Sequence, residues 1–524
     1  MPPVERAARL ALFALLLAPH VRAQAAVESI SEADLKAHLE VLAGPALEGR
    51  DSPSLGLDLA ARYVAERFAE YGLEPLDGES FVRPFGMRVP TPLPEGCKLE
   101  LRPPEGEAVR FELGRDFVPL AGCTGEGEGE LEFLGFGIDA PKERFDEVPP
   151  RGLERKVAMI LEGEPRHKKR FDGEEVSPHA VLWNKLVDLA DAGAGAVVVV
   201  RRDVPELDAL PAGLLAPDGP DLGFRHQFAT WVGEGSVRQP REKRLPAVIE
   251  VDAECAARLL GEDVEALAAA ADRSGKPPRH RFKRDAAPTL VFRSEVAERD
   301  VDVPNVVGVV RGSDPALAEE YVVVGAHLDH VGVDERGRVG FGADDNASGS
   351  SALLELAQAL AQQPPARSVL LIAFGGEEKG LLGSKAFCRE PPIPAGRMVA
   401  MLNMDMIGRG DRDEVAVLGI DQNPALEKVL ERANKLSRTG VKKMVVRQGQ
   451  ELWERSDHHS FHELGVPVLF FFEGLPIERN KDYHTWRDAI SELDLDKMAR
   501  TTRLVFNTAW LLASDPERPP APAE

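Results

Sequence analysis

YVVVGAHLD (321–329), SVLLIAFGGEE (368–378) and MVAMLNMD (398–405) share one design, an uninterrupted apolar run that stops at a His, Glu or Asp. A strand with water on one side alternates polar and apolar residues. A run without alternation needs cover on both faces, which parallel strands obtain when their crossover helices pack above and below the sheet. The intervening segments supply such helices, since ASGSSALLELAQALAQ (347–362) and PALEKVLERANKLS (424–437) repeat apolar residues at helical spacing. With NVVGVV (305–310) and VPVLFFFE (466–473) as further strands, this part of the chain is predicted to be a mainly parallel α/β layer domain.

Ligands of an open α/β sheet bind in the crevice beyond the carboxyl ends of its strands. His327, Asp329, Glu377, Glu378 and Asp405 all fall there, GADDNASG (342–349) adds Asp344 and Asp345 just before a helix, and DYHTWRD (482–488) adds Tyr483 and His484 after the last apolar run. Each has a plain alternative: Asp345 as a helix cap, Asp405 as a loop carboxylate, a single His as a hydrogen-bonded structural residue. Independent accidents do not all choose strand ends and all choose His, Asp or Glu. Two imidazoles with three carboxylates suit zinc or a zinc-like ion, whereas calcium prefers an all-oxygen shell. Spacing alone does not choose between Asp344 and Asp345.

Before this domain the texture differs. Residues 31–73 carry two helical patterns joined by the turn-rich EGRDSPS (48–54), with Gly72 placed as a stop. From about Gly125, short β-type runs, ELEFLGFGI (130–138), KVAMILEG (156–163), AVVVVRR (196–202) and LPAVIEV (245–251), surround one helical stretch, HAVLWNKLVDLADAGA (179–194). They predict a smaller α/β unit, followed by the connector SGKPPRHRFKRD (274–285). At the start, Arg6 and Arg9 precede LALFALLLA (10–18) and the small residues of VRAQAA (21–26), the layout of a cleaved secretory signal. No segment approaches the roughly 20 apolar residues of a membrane span. The Pro-rich, acidic end is predicted to be a disordered tail.

Composition narrows the function. With 64 Lys plus Arg against 87 Asp plus Glu, the net charge of −23 repels a phosphate backbone, so nucleic acid is excluded as a partner. Four scattered cysteines, Cys97, Cys123, Cys255 and Cys388, build neither a disulfide scaffold nor a cysteine zinc module.

HLD, GADDNASG, GGEEKGLLGS, NMDMIG and YHTWRD, in this order and spacing, resemble the motifs of the co-catalytic di-zinc aminopeptidases and their glutamate carboxypeptidase-like relatives. The resemblance covers about residues 305–510, with 31–85 similar to that family's N-terminal segment. It implies a three-layer fold of the zinc-exopeptidase (phosphorylase/hydrolase-like) type. The smaller unit resembles a protease-associated domain. The boundaries expected are 1–26 for the signal, 27–115 and 281–512 for the peptidase domain, 116–280 for the insert and 513–524 for the tail.

Carried over motif by motif, the resemblance implies two zinc ions per chain, His327 and Asp405 on one, Glu378 and His484 on the other, and Asp345 bridging. A cis peptide between Asp345 and Asn346 is implied as well. Glu377 becomes the general base, Asp329 holds the His327 imidazole, and Tyr483 donates to the developing oxyanion. In SDHHSFHELG (456–465), Asp457 and His458 are expected to line the substrate pocket, and His459, His462 and also His330 to be surface, structural or loop residues. One departure is that Asp51, Ser52 and Pro53 follow EGR where the family has Thr-Gly, which bears on the local substrate contacts.

The function implied is a secreted exopeptidase removing N-terminal residues from peptides. A carboxypeptidase or dipeptidase of the same fold would need a cation for the substrate carboxylate, for which Arg409, Arg455 and Arg487 are available. A receptor-like ectodomain without catalysis conflicts with the intact ligand set, and a glutaminyl-cyclase-like acyl transfer expects one zinc and no large insert.

Overall fold

The computed structural model describes residues 26–520 except 121–122, 168–169, 172–176, 178, 203–244, 284–285, 334–337, 437–438 and 476. The expected signal, but for Ala26, and the last four residues of the expected tail lie outside the described residues. Among those described there are two compact units, one drawn from residues 26–87, 302–333 and 339–520, the other from residues 88–301 and 338.

In the first unit, helices α1 (Glu32–Leu42) and α2 (Leu55–Glu70) start at Ser31 and Ser54, whose side chains accept from Asp34 N and Leu57 N. The sheet contains β1 (Glu74–Pro75), β2 (Val296–Val310), β3 (Tyr321–His327), β4 (Ser368–Phe374), β5 (Met398–Met404), β6 (Glu414–Leu418), β7 (Lys443–Val445) and β8 (Val468–Phe472). They lie in the order β1-β2-β4-β3-β5-β8-β6-β7, and the strand Val82–Pro92 pairs with β2 beside this path. The central run β4-β3-β5-β8 is parallel throughout, with Gly325 opposite Asn403 and Asn403 opposite Phe470. Antiparallel pairs flank it at β2/β4 and β8/β6.

Every residue of β3, β4 and β5 is buried, as the unalternating runs require. Helices α3 (Gly349–Gln362), α5 (Ala425–Lys435) and α7 (Leu495–Ser514) pack with α1 on one side, and α4 (Leu382–Arg389) with α6 (His458–Glu463) on the other. Helix α7 runs to Ser514, two residues into the expected tail. Beyond it Arg518 donates to the carbonyls of Gly396 and Met398, so the described part of that tail is docked rather than disordered. Its prolines and charges predict disorder only where nothing ties the backbone down. Among the described residues no helix is long and apolar enough to cross a membrane.

The second unit holds an eight-stranded sheet in which Gly125–Phe133, Lys156–Leu161, Ala196–Val200 and Ala247–Val251 run parallel. Successive residues of AVVVV serve two cores: Val198 and Val200 pack with Phe117 and Leu259, Val197 and Val199 with Leu186 and Leu189. The unit is wider than the 116–280 expected, because Lys98–Arg102 and Thr289–Ser294 pair within its sheet. The run ELEFLGFGI stops being a strand at Phe133, since Gly135 and Gly137 turn the chain at φ +59° and +67°. All four cysteines are free.

Candidate metal centre

The parallel strands deliver their last residues to one edge. β3 ends on His327, β4 leads through Gly375 and Gly376 into Glu377 and Glu378, β5 leads into Asp405, and the chain after β8 returns His484. Asp344 and Asp345 stand in the segment Ala343–Ser348 ahead of α3, which is kinked by the non-helical backbone of Asp345 and Asn346, and the Asp345–Asn346 peptide is cis. Met406 and His484 adopt left-handed backbone at φ +53° and +55°, a costly conformation for residues with side chains and one that gathers at functional sites.

Two groups of donors meet there. His327, Asp345 and Asp405 form one, His330, Asp345, Glu378 and His484 the other, and each group's ligand atoms lie within 4.8 Å of one another. In the first, His327 Nε2 is 3.2 Å from Asp405 Oδ1 and 3.3 Å from Asp345 Oδ1. In the second, His484 Nε2 is 3.0 Å from Asp345 Oδ2 and 3.1 Å from Glu378 Oε2. Asp345 thus turns one oxygen to each group. Zinc–donor distances of about 2.0–2.2 Å place neighbouring donors of one ion roughly 3.3 Å apart, so these separations fit zinc. Asp344 faces elsewhere, Oδ1 accepting from Gly408 N at 2.7 Å.

Behind the donors lies a layer that the motifs alone did not reveal. The Arg50 guanidinium, 1% exposed, donates to Leu328 O at 2.8 Å, Phe341 O at 2.9 Å, Gly342 O at 3.0 Å and Leu42 O. It therefore ties the His327 loop and the Asp345 loop to α1. Ser52, at the departure from the family pattern, donates to Asp329 Oδ2 at 2.9 Å and accepts from Gly376 N at 3.1 Å. Asp488 accepts from Asp344 N and Asp345 N, Asn346 donates to Met404 O, and Ser350 donates to His327 O. The only sequence signal for Asp488 was its place in DYHTWRD; Arg50 and Ser52 had none beyond EGR.

Asp329 does not hold His327 as expected. The Nδ1 of His327 is 3.2 Å from the Asp329 main-chain oxygen and 3.9 Å from its carboxylate. The carboxylate turns to the next loop and accepts from Glu377 N at 3.1 Å. Tyr483 stacks on the His484 ring at 3.9 Å, and its oxygen accepts from Arg455 at 3.3 Å. Burial and the charges of Asp345 and Glu378 push its hydroxyl well above the ordinary range, which keeps it protonated and able to donate.

Asp457 and His458 differ. Burial, offset in part by His327 and by a hydrogen bond from Ser384, pushes the Asp457 carboxyl up to about 7. His458 is not a pocket-lining polar group in this structure: it is fully buried, stacked on Phe470 at 4.5 Å and edge-on to Trp453, and burial lowers it to about 3. A ring enclosed by aromatic neighbours is a neutral core histidine. His459 and His462 are half-buried and join neither donor group. Of the cations considered for a substrate carboxylate, Arg409 is paired with Asp482 at 2.6 Å.

Residues 305–509 match the model of peptidase family M28. The chain is 30% identical over 225 residues to a probable leucine aminopeptidase of Arthroderma benhamiae, covering 42% of this chain and 60% of that protein. It is 28% identical over 262 residues to a probable zinc metalloprotease of Pyrenophora tritici-repentis, covering 42% of this chain and 53% of that one. The alignments therefore span little more than half of those relatives. The structure of a zinc aminopeptidase from Bacillus subtilis superposes with a TM-score of 0.52 at 18% identity, over 94% of this chain and 98% of that one, which is a likeness of fold.

Proposed function

From the premise that residues 305–509 are a domain of peptidase family M28, we propose that this protein is a zinc-dependent exopeptidase that hydrolyses N-terminal residues from peptides. The observation that carries the proposal is the meeting of two donor groups on the two oxygens of Asp345. In this reading His327 and Asp405 hold one zinc, Glu378 and His484 a second, and Asp345 bridges. The names of the curated relatives support zinc and an aminopeptidase.

Zinc bound there supplies Lewis acidity toward a carbonyl oxygen and an acidified water. The chain's own residues do the rest. Glu377, buried beside both groups, accepts the proton of the attacking water and hands it to the departing amine. Asp329 and Ser52 hold the loop that aims Glu377, through the bonds to Glu377 N and Gly376 N. Tyr483 donates to the oxygen that gains charge. Asp457 adds negative potential where a protonated substrate amine would lie. The layout of residues 1–26 supports secretion of the mature protein, and the second unit is assigned as a protease-associated insert.

The deciding experiment compares leucyl and alanyl p-nitroanilides with their acetylated forms and with peptides ending in a free acidic residue. An acetyl cap removes the charge that the acidic pocket pairs with, costing about 2–5 kcal/mol, or roughly 30-fold to several thousandfold in rate. Equal turnover of capped and free substrates rejects the aminopeptidase. Cleavage confined to the acidic C-termini replaces it with a carboxypeptidase.

A further inference from the structure

His330 lies three residues beyond His327 and was expected to be a loop residue. On that loop it is fully buried against the donors. Its backbone N–H donates to Arg50 O at 3.1 Å, and its ring lies so close to Gly342 that a Cβ there would fall 2.5 Å from the ring's Cγ. The ring's position is therefore set by the glycine beneath it.

The two nitrogens have unlike surroundings. Nδ1 is 3.0 Å from Glu378 Oε1 and 3.8 Å from Asp345 Oδ2, whereas Nε2 has no hydrogen-bond partner among the described residues. A carboxylate only accepts, so the 3.0 Å contact requires the proton on Nδ1. That tautomer leaves on Nε2 a lone pair rather than an N–H; a buried N–H without a partner is the rarer and costlier case. The oxygens of Glu378 are divided as well: Oε1 faces His330, and Oε2 is the one 3.1 Å from His484 Nε2.

We propose that His330 is a positioning residue, which donates its Nδ1–H to Glu378 Oε1 so that Glu378 presents Oε2 alone to the ion it shares with Asp345 and His484, while His330 itself is no ligand. The inference rests on the two-zinc reading above. Such outer partners fix the orientation of a ligating carboxylate and raise metal affinity by about 10- to 100-fold. Here the partner also closes off chelation of one ion by both Glu378 oxygens.

The test is a zinc titration of the full-length protein against a chromogenic chelator, with elemental analysis, for the wild type, His330→Phe and His330→Asn. The phenylalanine keeps a ring without a donor; the asparagine amide carries an N–H near the place of Nδ1. His330→Phe is expected to weaken one ion by about 10- to 100-fold and leave the other within about threefold. His330→Asn is expected to bind both ions within about threefold of wild type, and in a Glu378→Gln background His330→Phe should add no further loss. Unchanged binding of both ions by His330→Phe overturns the proposal. Equal loss of the same ion in both variants overturns it too, by making His330 a ligand. Should the phenylalanine variant not fold, tenfold weakening in His330→Asn decides against it alone. A wild type holding fewer than two ions refutes the two-zinc reading instead, a separate result.

Discussion

Replacing Arg50 by Met tests whether the layer behind the donors holds the site together. The guanidinium donates to four main-chain carbonyls, those of Leu42, Leu328, Phe341 and Gly342. Gly342 O keeps a second donor, Ala347 N at 3.0 Å, so three carbonyls lose the bond that the structure gives them. A buried acceptor abandoned in this way costs about 1–3 kcal/mol. Water entering the space of the lost head group favours the low end, so the expected cost is at least about 3 kcal/mol. Arg50→Lys, with one compact ammonium in place of the fork, should fall between Met and wild type. Hydrogen exchange reads the effect locally: amides of 326–332 and 341–348 should exchange faster in Arg50→Met, and zinc affinity should fall with them. The reasoning fails if both loops exchange as in the wild type while the variant binds zinc normally.

Three further outcomes follow from the same geometry. Glu377→Gln should lower turnover by about 10²- to 10⁴-fold with zinc content unchanged, whereas Glu378→Gln should lower zinc content itself; identical behaviour refutes the division between them. Removing metal with a chelator should abolish hydrolysis and destabilise the first unit, since a ligand at 100 times its dissociation constant contributes about 2.7 kcal/mol per site. Exchange in the strand Lys156–Leu161 of the second unit should not respond, and a response there counts against the assignment. In that second unit, burial, opposed by the amides of Ile138 and Phe136, pushes Glu147 up to about 8 from an ordinary 4.5. A carboxyl raised on folding contributes stability that is full below about pH 4.5 and lost as pH rises through 8, about 2–5 kcal/mol allowing for its partial exposure. Glu147→Gln should flatten that fall, as read by the pH dependence of exchange in the same strand.

How much of this was legible in the sequence depends on the range over which each signal acts. The parallel core of the first unit followed from unalternating runs, because burial on both faces writes itself into consecutive residues. His327, Glu378 and Asp405 followed from where those runs stop, whereas Asp345 was separated from Asp344 only by the resemblance. The layer behind them did not, since Ser52 reaches Asp329 across 277 residues of chain and Arg50 reaches Gly342 across 292. No local period records such a contact. For a related reason HLDH places His330 on the loop without showing that its ring turns inward, toward Glu378 and close over Gly342. His458 erred the other way, because a motif says which segment approaches a pocket and not which rings of it are enclosed by Trp453 and Phe470.

Adjacent in sequence, the buried Glu377 and the partly buried Glu378 are driven apart by electrostatics, as the opposite roles proposed for them require. Burial pushes both carboxyls up. For Glu378 the effect is overcome by His484 and by hydrogen bonds from His330 and His484, which hold it at about 2. Asp345 is likewise held well below the carboxylate range, against burial, by hydrogen bonds from His327 and His484. Glu377 has no such bond among the described residues: burial, with the charges of Glu378, Asp405 and Asp457, leaves it well above its ordinary value despite His327. Around it, burial lifts Asp329 to about 6 and Asp488 to about 7. Asp345 and Glu378, proposed as ligands, are thus kept ionised, as electron-pair donors to a cation must be, and Glu377, proposed as the base, keeps an appetite for a proton. Paired titratable groups driven apart in this way mark acid–base assignments independently of any motif. The division of roles proposed for Glu377 and Glu378 would then trace to the histidines at the end of β3 and after β8.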